Sequence, residues 1–163
     1  MGVDAKDERV PEPDLAGAGR RVAVVCGRFN SHVTLRLLDG VRRGLAACGV
    51  AESDSREVWV PGAFEIPLAA MTFAQAGWDA VIGIGCVIRG DTAHFDFVAG
   101  QCAEGIQQAG LDTGVPVVFG VLTTEDLDQA LARSEEAGGH NVGEESARTA
   151  VEMIALLGDI RTT

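Results

Sequence analysis

Apolar residues follow two rhythms along the 163-residue chain. "RVAVVC" at residues 21–26 is a short β-branched run, whereas Val33, Leu37, Val41 and Leu45 recur at every fourth position, the spacing of one helix face, until Gly49 ends the pattern. The same strand-then-helix succession returns three times. "EVWV" precedes a helix opened by Pro67 and closed near Gly77, "AVIGIGCVI" precedes a helix over residues 93–110, and "VPVVFGVL" precedes one over residues 124–137. Gly138 and Gly139 then interrupt the chain, and a last helix is expected over residues 143–157.

Continuous apolar strands separated by helices imply a parallel sheet covered on both faces, joined by right-handed crossovers. The expected fold is an α/β three-layer sandwich with a four-stranded parallel sheet, flavodoxin-like in type. Residues 1–20 hold Pro11, Pro13, three glycines and mixed charges without apolar periodicity, so they are expected to form a flexible N-terminal arm. Residues 21–163 are expected to be a single α/β domain, with no internal sequence repeat and no low-complexity segment.

Composition narrows the function classes. A 47% hydrophobic and 23% charged chain of this length can bury an ordinary core. Its formal net charge of -11, with Lys6 as the only lysine, argues against nucleic acid and anionic membrane as partners, because phosphates reward clustered Lys and Arg. The longest apolar runs fall short of the roughly 20 residues of a membrane helix and no charged-then-apolar leader is seen, so a cytoplasmic location is expected. Cys26, Cys48, Cys86 and Cys102 form no C-x-x-C pair and have mostly apolar neighbours. Buried reduced thiols are expected, rather than a disulfide frame or a metal site.

Candidate chemistry lies where strands meet helices. "GRFN", "PGAFE", "RGDTAH" and "TTED" each follow a strand and precede a helix, which puts all four at the carboxyl edge of the sheet, where open α/β folds bind ligands. Gly90, Asp91 and Thr92 precede a helix N-terminus whose N–H groups and dipole suit an anion; Asp91 or Thr92 could equally serve as an ordinary helix cap. His94, one turn on, has the side chain best suited to proton transfer near neutrality, although a lone histidine can also be a surface residue. Phe29 offers a π-face for a flat ring, and Glu65 beside Ala63 and Phe64 offers an acceptor for hydroxyl groups. The same residues also read as core aromatics and a first-turn carboxylate, and Arg133, with Glu136 three residues on, as a solvated surface pair.

Taken in order, "GRFN", "WVPGAFEIPLAA", "GCVIRGDTAHFDFV", "GVPVVFGVLTTED" and "DQALAR" closely resemble the 6,7-dimethyl-8-ribityllumazine synthase family of riboflavin biosynthesis, over roughly residues 21–157. The resemblance implies a transferase that condenses 5-amino-6-ribitylamino-uracil with 3,4-dihydroxy-2-butanone 4-phosphate, releasing phosphate and water, with no cofactor. It implies that Phe29 stacks on the pyrimidine and that Ala63, Phe64 and Glu65 line the ribityl and ring site, Glu65 taking ribityl hydroxyls. Cys86, Val87 and Ile88 then supply strand-end contacts to the heterocycle, Asp91 and Thr92 fall at the phosphate loop, and His94 is the proton-transfer residue. Phe119 and Arg133 match residues that an adjacent subunit contributes, Arg133 clamping the phosphate.

The family also implies a homo-oligomer with shared sites, a homopentamer in some members packed into an icosahedral capsid, with riboflavin synthase as a candidate partner. Gly100 and Gly105, with Ala99, Cys102, Ala103 and Ala109, suggest close helix approach along the five-fold axis, or tight packing within one subunit. One departure stands out: Val142 falls where members commonly carry a lysine near the pocket, in a segment that is slightly lengthened, with His140 as a candidate substitute. Two other readings therefore stay open: a flavin-binding or shell-forming paralogue without catalysis, and the archaeal-type riboflavin synthase, which shares the fold and joins two lumazines.

Overall fold

A computed structural model of the chain describes residues 7–163. In chain order these form β1 (Val22–Gly27), α1 (Ser31–Ala47), β2 (Ser55–Val60), α2 (Ile66–Gln75), β3 (Ala80–Ile88), α3 (His94–Thr113), β4 (Val117–Thr124), α4 (Leu127–Leu131) and α5 (Val142–Thr162). The strands make one all-parallel sheet in the order β2-β1-β3-β4. Helices cover both faces, so the three-layer, flavodoxin-like α/β sandwich expected from the apolar runs is the fold observed.

Strand periodicity sorts the core into two halves. Val22, Val24 and Cys26 of β1 and Ile82 and Ile84 of β3 face α1 and α5, where Leu37, Val41, Ala147 and Val151 meet them. Ala23, Val25 and Val81 face the opposite way, toward Ile66 and Ala70 of α2 and Cys102 and Ile106 of α3. On that second face β3 carries Gly83, where a Cβ would stand 2.7 Å from Ile66 Cγ2, so the missing side chain lets α2 lie close to the sheet. Gly105 of α3 works the same way, a Cβ there falling 2.7 Å from the Pro67 ring. For Gly105 packing within the subunit is thus the observed use. Gly100 is exposed and faces open space.

Two boundaries differ from expectation. The helix expected over residues 124–137 is only the short α4, capped by Asp126, whose carboxylate accepts the Gln129 N–H at 2.8 Å. Beyond Leu131 the chain turns into a loop closed by a bridge between Ser134 and Asn141, with Gly138 at φ 91°. Buried Asn141 locks this loop: its amide donates to the carbonyls of Arg36 at 3.1 Å and Glu135 at 2.8 Å, and its oxygen accepts from Gly143 N–H at 2.9 Å and Glu144 N–H at 3.2 Å. The last two bonds cap α5, which starts at Val142 and runs to Thr162, longer than expected at its end.

Of the segment expected to be a flexible arm, residues 1–6 lie outside the described residues. Further along, Leu15 is half-buried against the α1 side of the core and Gly17 N–H donates to the Cys48 carbonyl at 2.8 Å. All four cysteines are buried free thiols, as expected, and burial pushes Cys26 and Cys102 up to about 12 and Cys86 up to about 11. No described helix is long and apolar enough to cross a membrane.

Candidate active site

The strand order reverses direction at β1 and β3: the chain leaves β1 for β2 on one side and returns to β3 on the other. Loops leaving the carboxyl ends of these two strands diverge there, which opens a cleft. A cavity of about 670 Å³ occupies this place, lined by Phe29 from the β1–α1 loop, residues 61–65 from the β2–α2 loop, Cys86, Val87 and Ile88 of β3, and Gly90, Thr92, His94, Phe95, Phe97 and Val98 from the start of α3. Residues that the sequence scatters over seventy positions share one concave surface.

The walls are aromatic and exposed. Phe29 is 73% and Phe64 57% exposed, so neither is a core aromatic; each presents a ring that this subunit leaves unburied. Two backbone bonds hold the Phe29 loop, from Arg28 N–H to the Val60 carbonyl at 2.9 Å and from Phe29 N–H to the Pro61 carbonyl at 3.1 Å. Ala63 is buried in the floor. Glu65 makes no side-chain cap for α2, and its exposed carboxylate belongs to the cleft wall. Cys86 is buried at the strand end, with half-buried Val87 and Ile88 next to it.

At the other end of the cleft, α3 begins at His94. The Thr92 hydroxyl accepts the His94 N–H at 3.3 Å, so Thr92 performs a local capping role as well as lining the cleft. Asp91 is exposed in the same loop, is not part of the cleft wall, and makes no hydrogen bond or ion pair among the described residues. The His94 imidazole is exposed within the cleft, at the first residue of a twenty-residue helix whose open N–H end and dipole favour an anion. Among the described residues no Lys or Arg lines the cavity. Among the described residues, an anion bound at this end meets backbone dipoles and one imidazole, and no Lys or Arg of the cleft wall.

Phe119 and Arg133 lie elsewhere. Phe119, 40% exposed on edge strand β4, lines a different groove together with Val142, Glu145, Ser146 and Thr149. Arg133 sits just past α4, where its guanidinium donates to the Gln129 carbonyl at 2.9 Å; the pairing with Glu136 read from the sequence is absent, because α4 has already ended and the two no longer share a helix face. The Arg133 carbonyl accepts the Val142 N–H at 3.0 Å, which draws Arg133 toward the face that carries Phe119 and Val142. Within this chain, therefore, ten of the twelve candidates stand at or beside the cleft and the remaining two lie away from it, Phe119 in the second groove and Arg133 just past α4. The fourth loop, "TTED", also stays out of the cavity wall, since β4 is one strand too far from the switch point; its Glu125 pairs with Arg89, behind the cleft wall, at 2.9 Å.

Sequence reasoning missed several lining residues, among them Phe95, Phe97 and Val98. Their signal was available in "HFDFV", whose two aromatics at the start of an otherwise small-residue helix face out, with Phe97 69% exposed. Asn30 was also missed. It is the one described non-glycine residue with positive φ, at 58°. Among the described residues no group of His, Cys, Asp and Glu is arranged to hold a metal.

A sequence model of 6,7-dimethyl-8-ribityllumazine synthase matches residues 19–158, from the end of the N-terminal segment through most of α5. The match spans every strand, all three cleft-lining loops and the positions of Phe119 and Arg133, so the chain belongs to the 6,7-dimethyl-8-ribityllumazine synthase family.

Proposed function

We propose that this protein condenses 5-amino-6-ribitylamino-uracil with 3,4-dihydroxy-2-butanone 4-phosphate to 6,7-dimethyl-8-ribityllumazine, releasing phosphate and water, without a cofactor. The observation that carries this reading is the single cleft that joins an exposed aromatic, a carboxylate acceptor, a histidine and a helix N-terminus. Phe29 stacks on the flat pyrimidine, with Cys86, Val87 and Ile88 along its edge. Glu65 accepts hydrogen bonds from the ribityl hydroxyls, beside Ala63 and Phe64. The phosphate lies against the loop of Asp91 and Thr92, met by main-chain N–H groups, with the Asp91 carboxylate turned away.

The chemistry needs protons moved at each stage. The pyrimidine amine attacks the ketone and water leaves as the imine forms; phosphate is then eliminated and the second amine closes the ring with loss of water. His94 stands beside the anion end of the cleft, where it can take a proton from the attacking amine and hand one to a leaving group. Holding two reactive molecules together supplies much of the acceleration, so His94 assists rather than determines the rate.

A cleft whose described residues include no Lys or Arg supports a shared site. In this reading Arg133 of an adjacent subunit clamps the phosphate and Phe119 of that subunit closes over the heterocycle, in a homopentamer. The experiment that tests the function is incubation of the purified protein with the two substrates, followed by absorbance and fluorescence of the lumazine product. Riboflavin formed from lumazine alone would instead mark a riboflavin synthase, and flavin binding without turnover would mark a non-catalytic paralogue.

A further inference from the structure

Arg89, the residue after β3, makes three different contacts with one guanidinium. It pairs with Asp96 on the first turn of α3 at 3.3 Å and with Glu125 after β4 at 2.9 Å, and its central carbon lies 4.2 Å from the centroid of the Phe95 ring. Its backbone N–H extends the β3–β4 ladder by donating to the Thr124 carbonyl at 2.9 Å. A planar fork can meet two carboxylates along its edges while its face rests on an aromatic ring; an ammonium group cannot.

This matters because the first turn of α3 has few polar ties to the rest of the fold. Among the described residues, hydrogen bonds at residues 90–93 and the first turn are local, from His94 N–H to Thr92 and from Asp96 N–H to Ala93. A Cβ at Gly90 would point into open space, and His94 and Phe97 are exposed. Full burial along α3 begins only at Cys102, two turns further on. Arg89 therefore supplies the ion pairs that join the first turn to the sheet, one turn ahead of the point where Val98 packs against the core.

We propose that Arg89 is a positioning residue for the reaction: its guanidinium pins the first turn of α3 to the ends of β3 and β4, and so sets His94 and Phe95 against the cleft floor of Cys86, Val87 and Ile88. Arg89 does not line the cleft, and its charge is answered by Asp96 and Glu125, so it acts through the turn and not on the substrate. The inference rests on the reading of the cleft as the lumazine-forming site.

The test compares the full-length protein with Arg89→Met, which keeps a long stem over Phe95, with Arg89→Lys and with Glu125→Gln. Turnover is expected to fall about tenfold in Arg89→Met, while KM for the pyrimidine stays within about twofold, because Phe29 and Glu65 are untouched. Amide exchange at residues 97–100, the first amides bonded within α3, is expected to quicken about tenfold with β1 and β3 unchanged, and Arg89→Lys to recover only part of both losses. Combining Glu125→Gln with Arg89→Met should add nothing further, since both cut one tether. Unchanged turnover and exchange in Arg89→Met would overturn the proposal, as would a loss of protection spread over the whole sheet. A wild-type protein that forms no lumazine would refute the functional reading, and the exchange comparison would still uphold or overturn the tether.

Discussion

The side-chain amide of Asn30 donates to the carbonyl oxygen of Cys86 at 2.9 Å, tying the loop that presents Phe29 to the strand end that floors the cleft. Asn30 holds φ 58° and ψ 40°, a left-handed conformation that asparagine tolerates better than other side-chain-bearing residues. Asn30→Ala combines backbone strain with an unpaired carbonyl and is expected to lose about 2 kcal/mol of stability. Asn30→Gly removes the bond but relieves the strain, so its expected effect is a raised KM for the pyrimidine with a smaller loss on denaturant unfolding. Wild-type stability and KM in the glycine variant would show that the bond does not position Phe29.

His94→Ala is expected to lower turnover about tenfold, at or below the lower end of the range for a general acid-base group, with pyrimidine binding nearly intact. Steady-state kinetics with both substrates, alongside direct titration of the pyrimidine, measures the two separately. Unchanged turnover would remove His94 from the chemistry.

The separation of Arg133 from the cleft makes a stronger test possible. If each site pairs His94 of one subunit with Arg133 of its neighbour, His94→Ala and Arg133→Ala subunits unfolded together and reassembled at random should restore roughly one quarter of the interfaces to an intact pair, each partner being the required one about half the time. Activity is then expected to rise well above the mean of the two variants. Size measurement first establishes that mixed rings have formed; activity that stays at the mean in such rings would mean that Arg133 serves no neighbouring site.

Val142 lines the Phe119 groove and is half-buried at the first position of α5. A lysine there can run its stem along the groove and carry its charge to the rim. Val142→Lys is expected to lower KM for the butanone phosphate or raise the rate, at about 1 kcal/mol of stability from lost valine packing. A folded variant with wild-type kinetics would place this position outside the composite site.

The buried thiols set an alkaline limit. Cys26, Cys86 and Cys102 are held neutral to about 12, about 11 and about 12 in the folded chain, by burial above all. An unfolded thiol ionises near 8.5, so the unfolded state sheds its protons first and gains stability as pH rises. Folded stability is therefore full below about pH 8.5 and declines from there to about 11 for Cys86 and about 12 for Cys26 and Cys102, by up to about 1.4 kcal/mol per pH unit for each thiol. Denaturant unfolding from pH 7 to 10 follows the slope; a flat profile would show that the thiols reach solvent in the native state, and rapid alkylation at pH 8 would show the same.

Much of this molecule was legible in one dimension. Strands such as "AVIGIGCVI" are apolar on both faces because both faces of a parallel sheet are covered, so the order of strands and helices, the layer count and the loops at the carboxyl edge follow from local pattern alone. The family motifs likewise named Phe29, Glu65 and His94 without coordinates. What local pattern does not contain is distance between segments. The end of α4 at Leu131 depends on Asn141 reaching back to Arg36 and Glu135, a contact between elements that no helix propensity over residues 124–137 can register. Tertiary structure alone excluded "TTED" from the cavity wall, because the strand order puts β4 beyond the switch point, and it alone set Phe119 and Arg133 apart from His94. The Arg89 tether belongs to the same class: Asp96, Glu125 and Phe95 are unremarkable charged and aromatic positions until packing of β3, α3 and β4 brings them around a single guanidinium.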